Sequence, residues 1–268
     1  MSIASVLGKV PVYVNVNTTA RAKTSKGFYV VVEGIDGSGK TELVDTMTSR
    51  MTFLVPGHQG KALKVRQPGG SVYAESIRNT CRQAKVDNFT QTLVYGSALY
   101  DTYSTVIKPY LEDDGIVIAD RGFNTLFAYQ GLYGKTSSLI IAMLREIHRY
   151  RAPDLTIYLS LPLEESLKRT GANRPGQDDD RYAAQDLEQK RKLKAYYDLL
   201  HGVDTGVKEV LTNEEYQWAK IAIHNYLDLD DRIRWSMPRP APVVIDAMQT
   251  REQIQAQVYK VISSELEK

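Results

Sequence analysis

A single cysteine, Cys81, stands among 268 residues. One cysteine excludes an intrachain disulfide and fits a reducing compartment such as the cytoplasm. No apolar run reaches the length of a membrane span. No basic stretch leads into an apolar core near the N-terminus, so no secretory signal is expected. Charge of one sign is also missing: 34 Lys+Arg face 32 Asp+Glu, and the formal net charge is +2. That balance gives no electrostatic case for nucleic acid or an acidic membrane surface. It leaves open a small phosphorylated ligand, which needs only local positive charge. Internal repeats and long low-complexity tracts are absent as well. What remains, 43% hydrophobic and 25% charged, is ordinary globular composition. The length suits one large α/β domain or two small ones.

The chain is organised around residues 27–41, which read GFYVVVEGIDGSGKT. Phe28 to Val32 is an apolar, β-branched run and predicts a buried strand. The chain then turns through Gly34, Gly37, Ser38 and Gly39 and enters a helix near Lys40. Gly34, Gly39, Lys40 and Thr41 satisfy G-x-x-x-x-G-K-S/T. The chemistry behind that spacing is a nucleoside triphosphate. Glycines let backbone N–H groups close around phosphate oxygens, and the helix N-terminus adds partial positive charge. Lys40 would reach the β and γ phosphates of ATP, and Thr41 would hold Mg²⁺. A glycine-rich turn without a ligand is the competing reading, and the strand–loop–helix context weighs against it.

Residues 1–26 form an N-terminal arm. In it Val10, Val12, Val14 and Val16 alternate with Lys9, Pro11, Tyr13 and Asn15, a period-two strand pattern, ahead of a polar linker. After the phosphate loop a helix is expected over 40–54 and a strand over 62–65. That strand runs into Arg66-Gln67-Pro68-Gly69-Gly70-Ser71 and then a helix carrying Glu75, Ile77 and Arg78. Residues 90–110 have helical spacing, with Tyr95 and Tyr100 as candidates to stack on a base. A strand over 115–119 ends in Asp120-Arg121, where a guanidinium fork suits phosphate oxygens. Helices over 123–133 and 136–150 follow, then a strand over 155–159 and a helix from Pro162 to Arg169. His148 has no metal-ligand partner at a useful spacing and reads as surface or packing. Residues 169–181 are charged and contain Arg174, which suggests a lid; the alternative is a solvated loop. The basic run 190–194 reads as a solvated helix face. Within 201–240, Thr212 to Glu215 fits a capping box that opens a helix, and 228–242 reads as loop. A last strand (243–245) and a helix opened by Thr250 and Gln253 close the chain. Alternating strands and helices predict a parallel sheet with right-handed crossovers.

Several stretches together resemble the thymidylate kinase family. They are residues 33–41 and 66–71, Val106-Ile107-Lys108-Pro109, Asp120-Arg121, Ala128-Tyr129-Gln130-Gly131, residues 153–159, Leu167-Lys168-Arg169 and residues 244–247. The resemblance spans about 27–200 and 242–268. It implies a P-loop NTPase fold over 27–268, three-layered, with a central parallel β-sheet flanked by helices, a lid at about 169–181 and an insertion at about 201–240. It implies transfer of the γ-phosphoryl of Mg·ATP to a deoxynucleoside monophosphate, dTMP first. Asp36 would then meet the sugar 3′-hydroxyl, and Arg121 would grip the acceptor phosphate with Arg66 and Arg78 nearby. Tyr95 would stack on the base, Tyr129 would abut the sugar, and Asp120 would organise the Mg²⁺ shell. Gly37 takes a place where some members carry a basic residue, so the catalytic arginine is expected from the lid, Arg174 first. Arg169 would flank the adenine. Members are commonly homodimers, which this sequence allows without requiring.

The chain also departs from the family. Leu99 stands where an arginine usually reads the base edge, Leu126 where a polar residue is frequent, Gln67 where Glu precedes Pro-Gly-Gly, and Ser160 where Asp follows the strand. Two apolar residues cannot satisfy a base carbonyl, at a cost of roughly 1–3 kcal/mol for an unpaired buried group. A modified deoxyuridylate is therefore kept as an alternative acceptor. So are a deoxynucleoside kinase with Glu33 as general base and a nucleotide-binding module without turnover.

Overall fold

The first core strand, β1 (Phe28–Gly34), is buried at every position. A strand buried on both faces needs layers of structure above and below it. The computed structural model describes residues 27–54, 62–84, 86–146, 151–171, 186–227 and 241–266. In it β1 is the centre of a sheet with β2 (Ala62–Arg66), β3 (Ile116–Asp120), β4 (Leu155–Ser160) and β5 (Val243–Asp246). The order is β2-β3-β1-β4-β5, and every pairing is parallel. β3 is likewise buried at all five positions. The expected architecture, a parallel sheet flanked by helices, is the one observed. The N-terminal arm, His148 and most of the lid lie outside the described residues.

Helix α1 (Lys40–Leu54) follows β1, and α2 (Val72–Gln83) follows β2. Ser71 caps α2 by accepting from the Ala74 amide at 3.0 Å. The stretch expected as one helix over 90–110 runs as α3 (Asn88–Thr102), a π-helical turn (Tyr103–Ile107) and α4 (Lys108–Glu112). Pro109 explains the interruption. It offers no N–H to the carbonyl four residues back, and its ring crowds that carbonyl, so the turn before it widens. After β3, α5 (Phe123–Leu126) passes directly into a second π-helical segment (Phe127–Tyr133). Helix α6 (Ser137–Glu146) buries Ile140 and Leu144 of the apolar face expected from Leu139, Ile140, Met143, Leu144 and Ile147, and also Ile141; Leu139 and Met143 are partly buried. The remaining helices are α7 (Leu163–Gly171), α8 (Leu187–Leu200), α9 (Val207–Val210), α10 (Asn213–Leu227) and α11 (Arg251–Leu266). Among the described residues no helix is long and apolar enough to cross a membrane.

Helix α10 is no loosely attached insertion. Its Tyr216, Ala219, Ala222, Ile223 and Tyr226 are buried in the main core. The Tyr226 ring stacks on Phe127 at 4.0 Å between centroids. Burying a tyrosine of this size contributes on the order of 2 kcal/mol.

Gly27 sets the entry to β1. Its φ is +76°, and a Cβ there would lie 2.6 Å from the Leu111 carbonyl oxygen and 2.7 Å from that of Gly115. Both are backbone atoms and have no rotamer by which to yield. Gly27→Ala is expected to cost roughly 2–4 kcal/mol, read as a lower urea midpoint with an unchanged m-value. An unchanged midpoint would mean that the β1 entry is built differently.

Candidate active site

In an open parallel sheet the strand C-termini point to one edge, and ligands collect where the strand order reverses. Here β1 is that point. Val32 lies opposite Asp120, and Arg66 lies opposite Asp120 from the other side. The phosphate loop, the Arg66–Ser71 turn and Asp120-Arg121 therefore leave three adjacent strand tips. The Arg66–Ser71 turn is anchored from α3: Thr102 Oγ1 donates to the Gly69 carbonyl at 2.7 Å, and Ser71 Oγ donates to Asp101 Oδ2 at 2.5 Å.

The phosphate loop needs its glycines for backbone conformation, with positive φ at Gly34, Gly37 and Gly39. A Cβ on Gly37, where φ is +76°, would meet the Ser166 carbonyl at 3.1 Å and Arg169 Cβ at 3.3 Å, so α7 packs closely on the loop there. Ser166 Oγ donates to the Asp36 carbonyl at 2.7 Å and fastens the same contact. At Gly39, among the described residues, nothing lies within 4 Å of where a Cβ would stand beside the first turn of α1, and this space is the cradle of the loop. Lys40 lies under this loop, 6% exposed, with Nζ donating to the Ile35 carbonyl at 2.8 Å. Burial, then repulsion from Arg121, lowers its pKa to about 8; Asp36, Asp120 and Glu33 oppose the shift. Thr41 Oγ1 donates to Asp120 Oδ2 at 2.7 Å. A hydroxyl and a buried carboxylate so placed are all-oxygen donors, the type a hard divalent cation selects.

Arg121 faces the cradle from β3. Its φ is +74°, a left-handed conformation that a side chain seldom takes. Its amide donates to the Val32 carbonyl at 2.9 Å, and Nη2 pairs with Asp36 Oδ1 at 2.7 Å. The guanidinium carbon lies 5.7 Å from the Tyr129 ring centroid. Burial disfavours its charge, but Tyr129, Asp36, Tyr197 and Asp120 together hold its pKa well above the usual value. Beneath it Glu33 is fully buried; its Oε2 accepts from Thr125 Oγ1 at 2.7 Å and from the Tyr197 hydroxyl. Burial raises the Glu33 pKa against the pull of Tyr197, Thr125, Arg121 and Lys40. Its Oε1 and both amide atoms of Gln67 have no hydrogen-bond partner among the described residues. Gln67 Oε1 and Glu33 Oε1 each lie 3.6 Å from where a Gly122 Cβ would stand.

A second polar chain runs behind Tyr197. The Tyr226 hydroxyl donates to Asn124 Oδ1 at 3.0 Å, and Asn124 Nδ2 lies 3.3 Å from His201 Nε2. His201 Nδ1 is 2.7 Å from the Tyr197 carbonyl. A carbonyl only accepts, so Nδ1 carries the proton and Nε2 accepts from Asn124. His201 also stacks on Tyr158 at 4.3 Å, and the Tyr158 hydroxyl donates to Asp198 at 2.5 Å. Lys194 pairs with Asp198, and Lys192 with Glu215 at 3.2 Å. The basic run 190–194 is therefore not simply a solvated face: two of its lysines join α8 to itself and to α10, because their acidic partners come from the inner side.

All the residues expected in the site except Arg174 lie among the described residues. Gly34, Gly37, Ser38, Gly39, Lys40, Thr41, Asp36, Asp120, Arg121 and Tyr129 come together. Arg66 is exposed at the β2 tip, and Arg78 on α2 pairs with Glu75 at 3.8 Å. Arg169 on α7 donates to the Gly37 carbonyl at 3.4 Å and the Ala247 carbonyl at 3.2 Å. Tyr95 is partly buried on α3, whereas Tyr100 is 38% exposed. Leu99 and Leu126 are 1% and 2% exposed and belong to the core. Arg174 lies outside the described residues. Thr125, Asn124, Tyr197 and His201 were not expected, and no local sequence signal marks them.

The fold and these strand tips define a P-loop nucleotide kinase. A family model described as thymidylate kinase matches residues 32–223, and so takes in residues 201–223, which the sequence had set apart as insertion. A thymidylate kinase of Prochlorococcus marinus (strain NATL1A) is 31% identical over 207 residues, 74% of this chain and 89% of its own length. One of Bradyrhizobium diazoefficiens is 30% identical over 232 residues, 85% and 98% of the two chains. The chain belongs to the thymidylate kinase family, nucleoside monophosphate kinases that use ATP as phosphoryl donor.

Burial lowers the His201 pKa to about 4 from an ordinary 6.5, more than the Tyr197 carbonyl and Asp198 raise it and with Lys194 adding to the fall. The unfolded chain thus binds the proton first, and stability falls as pH drops from 6.5 toward 4, by an amount of order 3 kcal/mol. His201→Gln is expected to lower stability at pH 7.5 yet flatten the acid limb of a urea-midpoint profile. An acid limb identical to that of the parent would remove His201 from this role.

Proposed function

We propose that the chain transfers the γ-phosphoryl of Mg·ATP to the phosphate of a deoxynucleoside monophosphate, dTMP first, giving ADP and dTDP. One observation carries the reading. The Arg121–Asp36 pair and the Thr41–Asp120 pair, each 2.7 Å long, stand on neighbouring strand tips beside Lys40. An acceptor phosphate and a donor phosphate can then meet between two cations. Phosphoryl transfer asks for this kind of positioning and charge neutralisation more than for covalent help.

In this reading the backbone around Gly34, Gly37, Ser38 and Gly39 cradles the donor phosphates, and Lys40 leaves the Ile35 carbonyl for the β and γ oxygens. Thr41 and Asp120 would hold Mg²⁺, which supplies charge neutralisation to the phosphate oxygens. Arg169, already joined to the Gly37 and Ala247 carbonyls, flanks the adenine. Asp36 takes the sugar 3′-hydroxyl, Arg121 takes the acceptor phosphate with Arg66 and Arg78, and Tyr95 and Tyr129 line base and sugar. Arg174 is the arginine the lid brings to the transferred group. Against the deoxynucleoside kinase alternative, Glu33 is fully buried with two hydroxyls on one oxygen, a poor place from which to take a proton. The small net charge and the single cysteine support a nucleotide rather than nucleic acid as substrate, in a cytoplasmic setting.

A homodimer belongs to the same reading. Of the large apolar side chains left exposed, Val72 and Tyr73 on α2 and Phe89, Leu93 and Tyr100 on α3 lie on two helices packed together. A clustered apolar face marks an interaction surface. Sedimentation at micromolar concentration is expected to give twice the chain mass, and a monomer there would remove the dimer.

The activity is tested by ADP release with Mg·ATP against dTMP, dUMP, 5-hydroxymethyl-dUMP, dCMP, dAMP, dGMP, UMP and thymidine. The expected result is turnover of dTMP above the others and none of thymidine. Turnover of thymidine alone, or of nothing while ATP still binds, would overturn the proposal.

A further inference from the structure

Arg121 is fixed from several sides. Asp36 holds one terminal nitrogen, the Tyr129 ring lies beside the guanidinium, and Nη1 makes a long bond of 3.4 Å to Thr125 Oγ1. A hydroxyl has one proton to give. Thr125 gives it to Glu33 Oε2 at 2.7 Å, so its lone pairs remain for Arg121. Tyr197 repeats the arrangement. Its hydroxyl donates to the same Glu33 oxygen, accepts from the Gly34 amide at 3.3 Å and lies 2.9 Å from Thr125. Glu33 thus orients two hydroxyls, one turned to the arginine and one to the phosphate loop. A carboxyl group with no exposure at the C-terminal end of an apolar strand is costly. The core alone would be better served there by valine.

We propose that Thr125, oriented by Glu33, is a positioning residue for Arg121 and decides which edge of the guanidinium is left for the acceptor phosphate. The inference rests on the kinase reading and deepens it. Thr125 touches no substrate; it acts through Arg121. The donor side, held by Lys40, Thr41 and Asp120, does not depend on it.

The test compares Thr125→Val, which keeps the shape and loses the hydroxyl, with Thr125→Ser, which restores it. Steady-state kinetics are read separately for ATP and dTMP, with calorimetric affinities for both and a melting curve for each variant. T125V is expected to lower kcat/KM for dTMP about ten- to a hundredfold, the scale of a displaced catalytic group. The KM for ATP should stay within about twofold, and T125S should recover most of the loss. Glu33→Gln is a second variant; a neutral amide oxygen draws both hydroxyls less strongly than a carboxylate, so a loss toward dTMP is expected again, here joined by a loss toward ATP through Tyr197 and the Gly34 amide. Wild-type kcat/KM for dTMP in T125V would overturn the inference. So would equal losses toward ATP and dTMP in that variant, or a T125S no better than T125V, since either assigns Thr125 to packing. A parent enzyme that phosphorylates no acceptor would overturn the kinase reading itself and the inference with it, an outcome visible before any variant is made.

Discussion

The register between β1 and β3 is the constraint on which the site depends. Val32 lies opposite Asp120, which places the Asp120 carboxylate within 2.7 Å of Thr41 and brings the Arg121 guanidinium to Asp36. Side chains alternate faces along a strand, so a slip of one residue would turn Asp120 away from the phosphate loop and carry its neighbours with it. The strands prevent the slip by being apolar and buried throughout: Phe28 to Val32 and Ile116 to Ala119 have no polar face to offer water. The hydrophobic effect here sets stability and also the distances between charges.

Those charges stand in mutual tension. Lys40 and Arg121 repel each other across a buried edge, and burial disfavours both. Asp36, Asp120 and Glu33 compensate, each from a different tip or loop. The lowered pKa of Lys40 records what the three carboxylates leave uncompensated. An anion with several oxygens would relieve that tension, and Arg121 is already held in place to receive it. Electrostatic preorganisation of this kind costs no reorganisation during the reaction. It is a physical argument for the proposed phosphate site, independent of any likeness to other chains.

How much of this the sequence revealed depends on distance along the chain. The phosphate loop was legible because strand, glycines, Lys40 and Thr41 are consecutive. The capping boxes at Thr212/Glu215 and Thr250/Gln253 were legible for the same reason, and both form. Asp120-Arg121 could be placed because a strand's end is a position as well as a composition. Thr125, Tyr197 and His201 carried no such mark. Their roles come from contacts between residues 92, 164 and 77 positions apart. The basic run 190–194 misled in part for a related reason: Glu215, the partner of Lys192, lies 23 residues on, although Asp198, the partner of Lys194, is only four residues away. The π-helical turns were missed because helical periodicity alone does not register one widened turn.

The central claim is that donor and acceptor phosphates meet between Lys40 and Arg121. The most direct measurement is calorimetric titration with adenosine joined 5′-to-5′ to deoxythymidine through five phosphates, beside ATP and dTMP alone. If the two sites share one edge of the sheet, the joined ligand binds one per chain and far more tightly than either nucleotide, because its second half binds at high effective concentration. Affinity no greater than that of ATP, or two joined molecules per chain, would contradict the account.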